Sequence, residues 1–362
     1  MKNILLLLVG GTICTALTEY GTLSVSNNAG TKLVQSFMES DSPYKEKVQF
    51  TVSKNLGILS ENMTVDKWNL IIKTYKQEIS KKEYDGVIFA HGTDTLAYST
   101  SLFSMLLAGA EIPVFFASSN ARLDTPTANG NDNFRCAVEC ICRGIEPDVY
   151  VAYKNISDGR MYLHQGSRLE QCKNYSDDFY SVGAMDITDL SENSFNELNE
   201  TLKSRYPAGN KKKVVDINDD FFLSDCILLV NPYVGINYSA YNYSSFSAVL
   251  HGSYHCGTAC VEKSENENKY SKGSILYMLD KCASCERAVD VYFSPSKPIA
   301  GTYETVGIIQ AHEKNGQKIN FLYGTTSEMA YAKLLLGYSV FKDKADIARL
   351  LDNEYNFEKI SN

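Results

Sequence analysis

Short apolar runs recur along the chain at Ile4 to Val9, Val48 to Val52, Gly86 to Ala90, Pro113 to Ala117 and Val149 to Tyr153. Most lack the apolar/polar alternation of a half-solvated strand, which predicts strands buried on both faces. Between them the apolar positions change period. Val65, Trp68, Ile71, Ile72, Tyr75 and Ile79 follow the helical repeat behind a capping Thr64, and Thr95 to Ala110 and Ala128 to Arg143 are patterned alike. Strand and helix therefore alternate. The expected fold class is α/β, a parallel-sheet N-terminal domain with helices on both faces, with ligands beyond the carboxyl ends of its strands.

Around Asp189 to Asp220 the pattern turns polar, with Ser191-Glu192-Asn193, Pro207-Ala208-Gly209-Asn210 and Lys211-Lys212-Lys213, which predicts a linker. The expected organisation is an N-terminal domain over 1–190, a linker over 191–220 and a smaller α/β C-terminal domain over 221–362. Strands are expected there at Cys226 to Val230, Ser274 to Leu279, Val289 to Phe293 and Val306 to Ile309, with a helical region from Ser327 onward. A length of 362 residues suits two domains, each with its own core.

Met1-Lys2-Asn3 ahead of Ile4 to Val9 has the outline of a signal peptide. The apolar run is short, however, and Gly10-Gly11-Thr12 follows in place of a small-residue cleavage site, so a first buried strand is expected. No other stretch approaches the roughly 18 uninterrupted apolar residues of a membrane helix, and no membrane contact is expected. The formal charge is -8 and no basic run exceeds the lysine triplet, so a phosphate-backbone footprint is missing and nucleic acid is not an expected partner. Several of the ten cysteines (Cys136, Cys140, Cys142, Cys226) lie in apolar runs of a chain too long to need disulfide staples. That usage fits buried thiols and a cytoplasmic location.

Two segments sit where the strand-end rule puts a site. Gly10-Gly11-Thr12-Ile13 follows the first strand and His91-Gly92-Thr93-Asp94-Thr95 the third. Glycines let the backbone turn sharply and leave a threonine hydroxyl beside free N–H groups, which suits a nucleophile; a plain capping turn is the alternative for both. The second segment also packs two hydroxyls and a carboxylate against a helix N-terminus that favours anions.

In this order the two motifs resemble the bacterial-type L-asparaginase family of amidohydrolases. Ser60-Glu61-Asn62-Met63 resembles its substrate-binding loop, Thr127-Ala128-Asn129-Gly130 its Ser-Ala-Asp-Gly segment, and Gly324-Thr325 before a helix its C-terminal ending. The resemblance runs in register to about residue 183 and loosely beyond. It implies a two-step hydrolysis of L-asparagine, sometimes L-glutamine, with no cofactor and no metal, in a homo-oligomer (a dimer or tetramer). Thr12 would be the nucleophile. Thr93 would align a water or act in a second triad, Asp94 would support proton transfer and hold the substrate ammonium, Ser60 would receive the α-carboxylate, and Glu61 would be a second ammonium partner. Tyr20, next to Gly21, resembles the family's lid tyrosine; an ordinary surface tyrosine is the alternative.

The chain departs from the family at one charged position. After Gly166-Ser167-Arg168 the family lysine falls on Gln171, and Lys173, two residues on, would replace it in a shifted register. His164 is another candidate base, against an ordinary strand histidine. Two further readings compete with a free asparaginase: an amino-acid-binding module that lost the lysine, and the related amidotransferase subunit. That subunit usually carries an extra N-terminal domain, whereas Gly10-Gly11-Thr12 stands almost at the start here. His251, His255, Cys256, Cys260, Cys282 and Cys285 echo zinc spacing. Reduced, metal-free thiols are the expectation for that cluster.

Overall fold

The structure, a computed structural model, describes all residues except 18–22, 26–27, 206–212, 255–256, 265–269, 297–302 and 361–362. It divides into two compact units, Met1–Phe221 with Tyr355–Phe357, and Phe222–Glu354 with Glu358–Asn362.

The first unit is built on a seven-stranded sheet of β1 (Lys2–Leu8), β2 (Val48–Val52), β3 (Gly86–Ala90), β4 (Val114–Ala117), β5 (Val149–Lys154), β6 (Met161–Gln165) and β7 (Met185–Asp186). Across the sheet the order is β7-β6-β5-β4-β3-β1-β2. The five expected strands run parallel, and β6 and β7 extend them in antiparallel fashion. Every residue of β3 and β4 is buried, which is why those runs do not alternate. From β1 the chain moves outward to β2 and then returns past β1 to β3. The winding therefore reverses between β1 and β3, and the crevice at their carboxyl ends is the switch point where such sheets take ligands.

Four helices connect these strands: α1 (Ala29–Glu39), α2 (Val65–Ile79), α3 (Leu96–Leu106) and α4 (Gly130–Cys142). The Thr64 hydroxyl accepts the Lys67 N–H at 3.3 Å and caps α2. In α3 every residue but Tyr98 is buried, in a helix that carries no charged side chain and whose buried polar residues are small hydroxyls. Its Phe103 lies 5.0 Å from Phe89 of β3, which stacks on Phe116 of β4 at 4.7 Å. The element that begins at the His91 to Thr95 loop is thus anchored in the centre of the unit.

The segment read from sequence as a linker, 191–220, opens with α5 (Glu192–Ser204). Its Phe195, Leu198 and Leu202 join the core beneath the sheet, and the Arg143 guanidinium sits 4.0 Å over the Phe195 ring. A single apolar stripe in a charged segment is a weak signal, and packing decides it.

The second unit holds a parallel sheet of β8 (Ile227–Val230), β9 (Ala248–His251), β10 (Asp290–Ser296) and β11 (Ile319–Tyr323), in chain order across the sheet. Helices α6 (Ile275–Ala283), α7 (Glu304–Gln310), α8 (Ser327–Val340) and α9 (Lys344–Asp352) complete it. Two expected strands are corrected. Ser274 to Leu279 is the start of α6, whose Ile275, Leu276, Met278, Leu279 and Cys282 form one buried face behind the Ser274 cap. Val306 to Ile309 lies in α7, where only Val306 and Ile309, one turn apart, are buried. Strands β9 and β11 have no counterpart among the expected ones.

Near the C-terminus the chain returns to the first unit for three residues. The Asn356 side chain donates to the Ser104 carbonyl of α3 at 2.9 Å, and the Phe357 ring lies under the Arg168 and Arg205 guanidinium groups, at 3.5 and 4.8 Å. Arg168 also donates to the Phe357 carbonyl. Glu358, back in the second unit, meets Lys333, with side chains 1% and 4% exposed. Lys333 also donates to the Asn353 carbonyl. Glu358→Ala leaves that ammonium buried without its carboxylate, and a loss of about 3–5 kcal/mol is expected. Chemical denaturation checks it; a loss below about 1 kcal/mol would mean that water compensates the lysine.

Candidate active site

The site is assembled by three loops that meet at the ends of β1 and β3. Leu8 and Ala90 are register partners, so the chain leaves both strands at the same level, and the Val9 and Gly10 N–H groups both donate to the Ala90 carbonyl. Gly11 donates to the Ile58 carbonyl at 3.0 Å, which draws in the short turn Ser60–Asn62. Two glycines set how closely the loops approach. Gly11 has φ 77° and ψ -175°, and a methyl there would lie 2.2 Å from the Gly92 Cα. A methyl on Gly92 would lie 2.4 Å from the Ser60 Oγ. The loops bearing Thr12, Thr93 and Ser60 are therefore in backbone contact.

Within this junction the Ser60 hydroxyl donates to an Asp94 carboxylate oxygen at 2.9 Å, and the Thr95 hydroxyl donates to the Ser60 carbonyl at 3.1 Å. Ser60 is buried, Asp94 is exposed, and Thr12 and Thr93 are half-buried. Among the described residues the Thr12 and Thr93 hydroxyls have no hydrogen-bond partner; the Thr12 carbonyl takes the Thr15 hydroxyl at 2.9 Å. Two accessible hydroxyls and a carboxylate with lone pairs to spare stand beside the N-terminus of α3, where unpaired N–H groups favour anions. Glu61 is exposed on the same turn as Ser60.

Gln171 occupies the place beside Thr93. Its Nε2 donates to the Thr93 carbonyl at 2.9 Å, and its Oε1 accepts the Ala97 N–H in the first turn of α3 at 3.4 Å. A lysine has donors only and could not accept that N–H. Lys173 is exposed; its carbonyl accepts the Ser176 N–H at 3.1 Å, and its ammonium makes no hydrogen bond or ion pair among the described residues. Tyr20 lies outside the described residues. His164 is fully buried in β6, three strand spacings or roughly 14 Å across the sheet from β3. It contacts Ser181 Oγ at 2.9 Å.

A polar chain not anticipated from sequence fixes the His91 loop from beneath. His91 Nδ1 lies 2.7 Å from the Gly92 carbonyl, which only accepts, so Nδ1 carries the proton and Nε2 accepts from the Ser99 hydroxyl at 2.9 Å. Ser99 in turn accepts the Trp68 Nε1–H at 2.9 Å. Every group is satisfied with the imidazole neutral. Burial pushes His91 down to about 4, and likewise His164 to about 3 and His251, beside the Tyr238 hydroxyl, to about 4. The unfolded chain binds these protons below about pH 6.5 while the folded chain refuses them. Stability is therefore expected to fall as pH drops from about 6.5 toward 4, read as a declining thermal midpoint; a flat profile across that window would contradict the three buried neutral rings.

The Thr127 to Gly130 segment is tied to neighbouring backbone through Asn129. Asn129 and Asn120 exchange backbone N–H to side-chain carbonyl bonds at 3.0 Å each, and Asn129 Nδ2 donates to the Lys154 carbonyl. Among the described residues no group of three His, Cys, Asp or Glu could hold a metal ion, and the described cysteines are free thiols. His255 and Cys256 lie outside them. No described helix is long and apolar enough to cross a membrane.

Residues 3–201, over half of the chain and all of the loops above, match the family model described as Asparaginase, N-terminal. The chain belongs to the asparaginase family. Among asparaginase-family structures, the thermostable L-asparaginase from Thermococcus kodakarensis superposes with a TM-score of 0.66 at 18% identity, covering 99% of this chain and 100% of its own. L-asparaginase I from Vibrio cholerae gives 0.67 at 19%, covering 99% of each. At such identities these likenesses establish the fold. Curated relatives include a glutamyl-tRNA(Gln) amidotransferase subunit from Methanosarcina acetivorans, 29% identical over 52% of this chain and 43% of that protein. Its counterpart from Methanosphaera stadtmanae is 24% identical over 84% of this chain and 68% of its own. The chain thus spans less than half the length of the first relative.

Proposed function

We propose that this asparaginase-family chain hydrolyses the side-chain amide of a small amino acid, L-asparagine or L-glutamine, through Thr12. The observation that carries this reading is the meeting of Thr12, Ser60, Thr93 and Asp94 at the switch point, with the two threonine hydroxyls unengaged among the described residues. The Thr12 oxygen bonds to the amide carbon, the C–N bond breaks, and nitrogen leaves as ammonia with the threonine proton. Water, aligned by Thr93, then adds to the ester carbon; the bond from that carbon to the Thr12 oxygen breaks, a water proton goes to that oxygen, and the side-chain carboxylic acid leaves. Asp94 holds the substrate ammonium with Glu61 as second partner, and Ser60 receives the α-carboxylate. Tyr20 is assigned the proton transfer at Thr12. Lys173 is assigned to the second hydroxyl only through a rearranged loop, because Gln171 fills that place. A homo-oligomer in the cytoplasm is the proposed setting, without cofactor.

Ammonia release by the purified protein from L-asparagine, L-glutamine and D-asparagine tests the reading. Release from an L-amide supports it; binding of the amide without release means an amino-acid-binding module, the reading that Gln171 favours. Similarity to amidotransferase subunits favours a further reading, in which the ammonia passes to an acceptor; release that rises only with a partner protein present would select it. In the leading reading Asp94→Asn removes a charge-assisted bond, and KM is expected to rise roughly 10- to 100-fold, corresponding to about 1.5–3 kcal/mol. Steady-state kinetics decide it, an unchanged KM removing Asp94 from the ammonium site.

A further inference from the structure

In the second unit a surface cleft of about 760 Å³ collects four lysines, Lys263, Lys272, Lys281 and Lys314, around the outer face of α6. That volume lies within the range of small-molecule sites. The charge is unusual for a chain whose formal total is -8. Among the described residues only Lys314 has a carboxylate, Asp280 at 2.7 Å, and Asp280 also contacts His312 at 2.9 Å. Lys263, Lys272 and Lys281 meet no carboxylate within 4 Å among the described residues. Like charges lining one concave surface repel one another and raise the local potential, which concentrates anions there.

Two aromatic rings line the same cleft, Tyr270 and Tyr277. Tyr270 is held by its backbone pairing with Lys263 and by edge contact with the His312 ring at 5.3 Å. Tyr277 projects from α6 one turn before Lys281, whose ammonium lies 5.5 Å from the ring centre. Lysines serve phosphate as point charges, and tyrosine faces accept a planar base. We propose that this cleft binds a nucleotide, with its phosphates on Lys272, Lys281 and Lys263 and its base against the tyrosines. No residue of the proposed catalytic junction takes part.

Calorimetric titration of the whole chain with ATP, pyrophosphate and adenosine tests this. ATP is expected to bind with a submillimolar dissociation constant, pyrophosphate more weakly and adenosine not measurably. Lys272→Ala with Lys281→Ala is expected to weaken ATP at least tenfold at an unchanged thermal midpoint, both side chains being exposed. Three results overturn the proposal: no ATP binding at millimolar concentration, ATP binding unaffected by the double variant, or pyrophosphate binding as tightly as ATP. A single-stranded RNA that binds through these lysines while ATP does not would also overturn it and make the cleft a nucleic-acid surface.

Discussion

Thr12→Ala is expected to lower ammonia release by about a thousandfold or more while leaving the thermal midpoint within a degree or two of the parent, as befits the loss of the proposed nucleophile. The two readouts separate because of how Thr12 is held. Its position depends on backbone, through the Gly11 conformation, the Cys14 N–H on the Gly11 carbonyl at 2.8 Å and the Thr15 hydroxyl on the Thr12 carbonyl. The Thr12 hydroxyl itself bonds to nothing among the described residues, so its deletion strands no partner. Thr12→Ser keeps the oxygen and should keep measurable activity. If the alanine variant retains more than about a tenth of the rate, Thr12 is not the nucleophile, and Thr93 becomes the first group to test.

Gly11→Ala is expected to destroy activity by the opposite route, removing the geometry and keeping every functional group. The φ and ψ of Gly11 fall in a region open essentially to glycine alone, with a strain of order 1–3 kcal/mol for another residue. The added methyl would also lie 2.2 Å from one Gly92 backbone atom and 2.4 Å from another. No flexible side chain can yield there, so the loops must part. A combined destabilisation of at least about 3 kcal/mol is expected, with ammonia release at background because Thr12 no longer stands beside Thr93. Denaturation and kinetics on the same preparation check both, and a variant of parental stability and rate would show that the loops tolerate separation.

The two halves of the chain differ in how far they could be read. In the first, continuous apolar runs marked buried strands, and the rule that ligands sit at strand ends selected the loops after β1 and β3 before any contact was known. Local signals sufficed there because each loop follows its strand directly. What escaped depends on partners distant in sequence. The amide of Gln171 bridges Thr93 and Ala97, and neither end of that bridge marks the glutamine by its own pattern. His91, Ser99 and Trp68 form a satisfied chain only once α2 and α3 lie together. In the second unit Ser274 to Leu279 reads equally as strand or helix, being short and apolar throughout, and only the burial of Cys282 one turn later resolves it as α6.

The brief return of Tyr355–Phe357 to the first unit bears on how the protein is made. A ribosome emits residues 1–221 well before residue 356, so α3, which begins at the Thr93 loop, is synthesised long before Asn356 arrives to cover the Ser104 carbonyl. Until then Arg168 and Arg205 also lack the Phe357 ring beneath them. A nascent chain can form the sheet early, but it closes the first unit only once residues 355–357 have emerged. A premature stop ahead of residue 355, far downstream of the codons for Thr12 and Thr93, therefore damages the unit that carries them. An excised first unit likewise needs residues 355–357 grafted back to be whole.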